Sequence, residues 1–456
     1  MPHERHLQHE RLVDEYLEPA FVAVLRRSQA ELDKPARAFV DECRHAELLR
    51  VAREFSSRSS PFLKIHEVRL YPALGKETEC FPRFRILLHP EDLDVHAYSV
   101  GIIERRERTA PSLAFTLVNH SSELTYTPAW WVPGAHLQTL WGKLRRTPIV
   151  ATRSERWATH DDDEIEIRRL DAPPESRGHT PRVLVLHGLE GTIRSHYLRG
   201  ILAQAQAYGW AADVLIFRGC NGEVNHARRM YHSGETTDLD LVVRRLIREN
   251  PAQPLVLAGF SLGGNVLLKW LGEQSSMVPE QVRAAAAVSV PFDLERGARN
   301  LERGISRVYG LHFLRSLRAK SVAKLARYPD LCDLDALNVI RTLYDFDDAV
   351  TAPIHGFADA HDYYSRSSSL QYLAAIQVPT LLLSAFDDPF LPRDVLDTVG
   401  IVSRRNRFLT AEFWPNGGHV GFISGFSPFH AHYYAEERVL EFLASRIDRE
   451  LPIHPR

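Results

Sequence analysis

From about residue 127 onward, short apolar runs alternate with longer stretches of helical spacing. The runs at 183–186, 212–217, 255–260, 284–290 and 380–385 are mainly apolar and bounded by turn residues. Such runs predict strands covered on both faces, as in a parallel sheet. A further candidate spans 408–413. Strands alternating with helical patterns give an α/β fold, a mostly parallel central sheet flanked by helices.

Between Pro291 and Pro379 the strand pattern stops. The interval has helical spacing and a partly basic character, with Arg296, Arg299, Arg303, Arg307 and Lys320 among its cations. An insertion behind a central strand lies over the carboxyl ends of the sheet, where ligands bind. It predicts a helical cap over about 292–376, the alternative being a purely structural excursion. The front of the chain differs. Leu12, Tyr16, Phe21 and Val24, then Phe39, Cys43, Leu48 and Val51, recur at helical spacing and predict two amphipathic helices within 9–56, divided near Lys34-Pro35. Alternation at 84–88 and 97–102 predicts short strands. The reading is an N-terminal α+β region over 1–120, without assigned chemistry, before a larger α/β domain over 121–456.

Composition narrows the function without naming it. The 44% hydrophobic and 25% charged fractions suit an ordinary globular protein, and a net charge of −2 leaves no basic footprint for nucleic acid. Cys43, Cys80, Cys220 and Cys332 show no metal or redox spacing, which fits a reducing compartment, the alternative being two disulfides in an exported protein. No stretch approaches the roughly 20 apolar residues of a spanning helix, and the charged start lacks a signal core. A cytoplasmic protein without a transmembrane segment is therefore expected. His3, His6 and His9 have a spacing that could bind metal, but a polar chain start accounts for them. Asp345, Asp347 and Asp348 lack EF-hand spacing and are read as partners of the cap arginines, so neither metal nor organic cofactor is expected.

The chemistry concentrates in Gly259-Phe260-Ser261-Leu262-Gly263-Gly264, between the apolar run 255–258 and the helical run 265–271. Strand, G-x-S-x-G and helix together describe a nucleophile elbow, a tight turn that lifts a serine above a sheet. A serine hydroxyl needs a base, and the base a group that holds its tautomer. Downstream, the run 380–385 leads to Asp387-Asp388-Pro389, and the run 408–413 to Gly417-Gly418-His419. The order Ser261, aspartate, His419 is that of a hydrolase triad. Asp388, directly before Pro389, is favoured as the acid over Asp387. The N–H groups of Leu262 and of Leu189, in His187-Gly188-Leu189-Glu190-Gly191, are the candidate oxyanion donors. His187, Arg218 and Trp131 are candidate pocket residues, each with the alternative of fixing its own loop.

Longer motifs make the likeness specific. They include Pro128-Ala129-Trp130-Trp131-Val132-Pro133-Gly134-Ala135-His136-Leu137-Gln138-Thr139, Phe217-Arg218-Gly219-Cys220-Asn221-Gly222, Tyr231-His232-Ser233-Gly234 and Gly417-Gly418-His419-Val420-Gly421-Phe422. With these motifs, the chain from about Pro128 to Phe426 resembles the YheT-like hydrolases, the α/β-hydrolase-4 family. The resemblance implies a serine carboxylic-ester hydrolase with Ser261, Asp388 and His419 as its triad, acting on a short- to medium-chain acyl ester or lipid. Acyl transfer to an alcohol by the same residues, or a non-catalytic binding protein of this fold, are the rival expectations. Residues 1–120 fall outside the resemblance.

Overall fold

In the computed structural model, which describes residues 68–70, 84–86, 125–144, 149–174 and 180–447, the chain divides into two units, Met1–Leu117 and Val118–Arg456. In the first, β1 (Val68–Leu70) pairs antiparallel with β2 (Phe84–Ile86). The helices expected within 9–56 and the strand expected at 97–102 lie outside the described residues.

The second unit opens with α1 (Ala135–Leu144) and an antiparallel pair, β3 (Arg153–Ala158) and β4 (Glu164–Leu170). Then follow β5 (Arg182–Leu186), α2 (His196–Ala207), β6 (Ala211–Ile216), α3 (Thr237–Glu249), β7 (Leu255–Phe260), α4 (Leu262–Gln274) and β8 (Val282–Val288). Strands β9 (Thr380–Ala385) and β10 (Leu409–Trp414) complete a sheet of order β10-β9-β8-β7-β5-β6-β4-β3. From β10 to β6 every neighbouring pair is parallel; β4 and β3 are antiparallel additions at one edge. The expected strand at 284–290 stops at Val288 because Ser289 turns to a φ of 50°. β3 and β4 carried no continuous apolar run. In β4, buried Ile165 and Ile167 alternate with less buried charged residues, the mark of a half-covered strand.

Between β8 and β9 the described residues contain no strand. The segment folds into α5 (Leu294–Asn300), α6 (Ser306–Leu325), α7 (Leu334–Val339), α8 (Leu343–Phe346), a π-helical turn at Asp347–Thr351, α9 (Ala352–His355) and α10 (Ala360–Ser367). Leu314, Leu317, Leu337, Phe346 and Val350 give it a small core of its own. α11 (Arg393–Arg405) and α12 (Tyr434–Ile447) return the chain to the layers around the sheet.

One buried charge ties the parallel strands to the antiparallel edge. Asp213 on β6 is wholly inaccessible. Its carboxylate accepts hydrogen bonds from Arg169 on β4 at 3.0 Å and Arg182 on β5 at 2.8 Å. Removing the acid leaves Arg182 with Gln253 alone and takes from Arg169 one of three carboxylate partners, a loss of at most about 3–5 kcal/mol. Asp213→Ala is expected to lower the urea midpoint accordingly, whereas an unchanged midpoint would show that the edge strands need no such tie.

Candidate active site

Ser261 stands where β7 turns into α4, with φ 53° and ψ −121°, a conformation costly for a residue with a side chain. The surrounding backbone holds it there. A Cβ on Gly259 would lie 2.6 Å from the Gly263 carbonyl oxygen, and one on Gly263 2.5 Å from that of His187. Only glycine at these two places lets the strand end, the helix start and the end of β5 approach so closely. The Ser261 N–H donates to the Val288 carbonyl at 2.8 Å, anchoring the turn to the neighbouring strand.

The Ser261 hydroxyl lies 2.9 Å from His419 Nε2, and His419 Nδ1 lies 2.8 Å from Asp388 Oδ2. The other Asp388 oxygen accepts the Phe390 N–H at 2.8 Å, and the Phe390 ring stacks on the imidazole with centroids 3.9 Å apart. Asp387 serves the backbone instead, its carboxylate accepting the Gly418 N–H at 2.9 Å and fixing the histidine loop. Burial raises its carboxyl above the ordinary value, and the bond from Gly418 offsets this only in part. The long motif that runs into α1 serves the same loop. Thr139 Oγ1 accepts the His419 N–H at 2.9 Å, and Gln138 accepts the Ile423 N–H at 2.7 Å. Sequence reasoning did not assign these two side chains a role; their place in the longest shared motif was the available signal.

Leu189 and Leu262 both border, with Ser261 and His419, a cavity of about 120 Å³. The Leu262 N–H opens α4, where first-turn donors have no partner within the helix. On either side of Leu189 the amides are occupied: Gly188 donates to the Tyr197 hydroxyl at 2.8 Å and Glu190 to the Tyr231 hydroxyl at 3.0 Å. The cavity walls are mainly apolar and come largely from the inserted helices, through Leu294, Leu301, Phe313, Leu317 and Phe346.

A model of the α/β-hydrolase fold matches residues 181–426. The putative esterase YheT of Escherichia coli is 38% identical over 72% of this chain and 95% of its own. The chain is a YheT-like member of the α/β-hydrolase family. Mouse phospholipase ABHD3 is 29% identical over 68% of this chain and 76% of its own, and a monoacylglycerol lipase of Saccharomyces cerevisiae 30% identical over 62% and 61%. No helix among the described residues is long and apolar enough to cross a membrane.

The three candidate pocket residues of this hydrolase do not line the cavity. His187 is fully buried, with Nε2 accepting the Phe217 N–H at 3.1 Å and Nδ1 2.7 Å from the Gly188 carbonyl oxygen. Burial lowers its imidazole to about 4, so it is a neutral pin between two loops. Arg218 is enclosed by Asp161, Asp163 and Asp238, which it reaches at 2.7–3.0 Å. Trp131 packs edge-on against Trp141 and donates to the Gly425 carbonyl at 2.9 Å. All three fix loops, because each polar group already has partners inside the protein.

The cavity instead borders Asp347, set in the π-helical turn and hydrogen-bonded by Thr351 and Tyr364, both at 2.6 Å. Burial lifts its carboxyl to about 6, although both hydroxyl groups pull the other way. Between the unfolded value near 3.8 and about 6, the folded carboxyl keeps a proton that the unfolded one has released. This group therefore makes the fold less stable as pH rises through that window. Asp347→Asn is expected to flatten the fall in urea midpoint between these values, and an unchanged slope would contradict it. At the elbow, Gly263→Ala is expected to cost about 1–3 kcal/mol through overpacking and to abolish activity; a variant of wild-type stability would show that the close contact is not needed.

Proposed function

We propose that this protein is a serine carboxylic-ester hydrolase for short- to medium-chain acyl esters, with Ser261 as nucleophile, His419 as base and Asp388 as the orienting acid. The observation that carries the reading is the unbroken hydrogen-bond chain from Ser261 Oγ through His419 to Asp388, at the edge of an apolar cavity. Esterases and lipases among the relatives support it.

The steps follow from the geometry. His419 Nε2 takes the Ser261 proton as Oγ attacks the ester carbonyl carbon, and the negative charge moves to the carbonyl oxygen. The N–H groups of Leu189 and Leu262 receive that oxyanion; one such donor contributes about 3–4 kcal/mol where it has been removed. As the tetrahedral carbon collapses, the bond to the alcohol breaks and His419 returns its proton to the leaving alkoxide. Water then attacks the acyl-serine, giving up a proton to His419, and the carboxylic acid leaves with Ser261 restored. Asp388, accepting from Nδ1–H, keeps the tautomer and stabilises the imidazolium. The apolar walls contributed by the insertion suit the acyl chain.

Ser261→Ala is expected to lower kcat on p-nitrophenyl acyl esters by roughly 10⁵–10⁶. Hydrolysis undiminished in that variant would sink the assignment. A series of acyl lengths is expected to give a maximum between short and medium chains. Product analysis with ethanol present separates hydrolysis from acyl transfer: free acid as the main product supports the reading, ethyl ester contradicts it.

A further inference from the structure

Glu190 carries more bonds than a loop carboxylate at the surface needs. Its Oε1 accepts from the Tyr231 hydroxyl at 2.6 Å and from the Lys320 ammonium at 2.7 Å. Its Oε2 accepts from the Ser316 hydroxyl. Ser316 and Lys320 stand four residues apart on α6, one turn of the helix, so both donors share a face. Two elements thus grip one side chain: the loop that carries Tyr231 and the longest helix of the insertion.

The backbone at this residue is unusual. Glu190 has a φ of 55°, in the left-handed region that costs a residue with a side chain of order 1–3 kcal/mol and persists only when its surroundings hold it. Tyr231 supplies part of that hold, because its hydroxyl accepts the Glu190 N–H at 3.0 Å while donating to the same residue's carboxylate. Lys320 and Ser316 supply the rest. Lys320 also donates to Cys220 Sγ at 3.3 Å, but burial raises that thiol to about 11 and leaves it neutral. Glu190 is therefore the anion that Lys320 meets.

Immediately before this clamp lies Leu189. α6 also sends Phe313 and Leu317 into the cavity wall, so the helix that an acyl chain touches is the helix that holds Glu190. We propose that Glu190 is a positioning residue for the oxyanion donor, tying the Leu189 N–H to the cap through Ser316 and Lys320. This inference rests on the reading of Leu189 as an oxyanion donor in ester hydrolysis. With the cap seated, the Leu189 peptide is fixed before substrate arrives; with the clamp cut, it is free to turn away. The cost falls on the transition state, because the donor is used fully only when charge reaches the carbonyl oxygen.

The test uses the full chain with Glu190→Gln, Lys320→Met and the double variant, on a p-nitrophenyl acyl ester. A misplaced donor is expected to lower kcat about 10- to 100-fold with KM within about 3-fold of wild type. The inhibition constant of a trifluoromethyl ketone, whose serine adduct places an oxyanion in the same site, should rise by the factor that kcat loses. The double variant should lose about as much as either single one, because both cut one clamp. Should Glu190→Gln fail to fold, Lys320→Met and Ser316→Ala carry the same three readouts. Unchanged kcat, or losses of melting temperature and KM without weaker ketone binding, would overturn the clamp and leave Ser261 as nucleophile untouched. Full activity in Ser261→Ala would instead remove the parent reading.

Discussion

The close approach of three backbone segments at Ser261 is the constraint on which this molecule depends. The end of β7, the start of α4 and the end of β5 meet at distances that leave no room for a Cβ at Gly259 or Gly263. That contact has two consequences. It holds Ser261 in a strained conformation with its hydroxyl toward His419, and it brings the loop after β5 beside the first turn of α4. Leu189 and Leu262, distant in sequence, therefore flank one serine. The parallel sheet makes this possible, since β5 and β7 are hydrogen-bonded neighbours and run the same way.

Around this contact the polar groups sort by whether they already have partners. His187, Asp387 and Gln138 are buried or half-buried and bonded to segments that border the site, while Arg218 ties the end of β6 to the β3–β4 turn and to α3. They set positions. Ser261, His419 and Asp388 instead form a serine–imidazole–carboxylate chain that ends at the cavity. The insertion between β8 and β9 then provides apolar walls and, through Lys320 and Ser316, reaches back to the loop that carries Leu189. The cavity wall and the loop proposed to hold the oxyanion thus share an element.

Most of the parallel strands were legible because they are buried on both faces and so mainly apolar, as in 255–260, whereas β10 at the sheet edge is only partly covered. β3 and β4 were not, because strands at a half-covered edge alternate and carry charge, as Glu164 to Arg169 do. At the site, residues with a strict local grammar stood out: glycines around a serine, an aspartate before a proline, a histidine among glycines. The pocket was misjudged for a related reason. His187, Arg218 and Trp131 sit in conspicuous motifs, but their partners, such as Asp161 and Gly425, are far away in sequence. Asp347 and Glu190 were missed as well, since only the folded insertion brings Tyr364 to the first and Lys320 to the second.

Direct mapping of the covalent intermediate tests the central claim most directly. Wild-type protein treated with a fluorophosphonate, digested with trypsin and examined by mass spectrometry is predicted to carry one adduct. That adduct should lie on the peptide spanning 249–269, at Ser261, with the catalytic loss in step with its formation. An adduct on another residue, or full inactivation with Ser261 unmodified, would contradict the account.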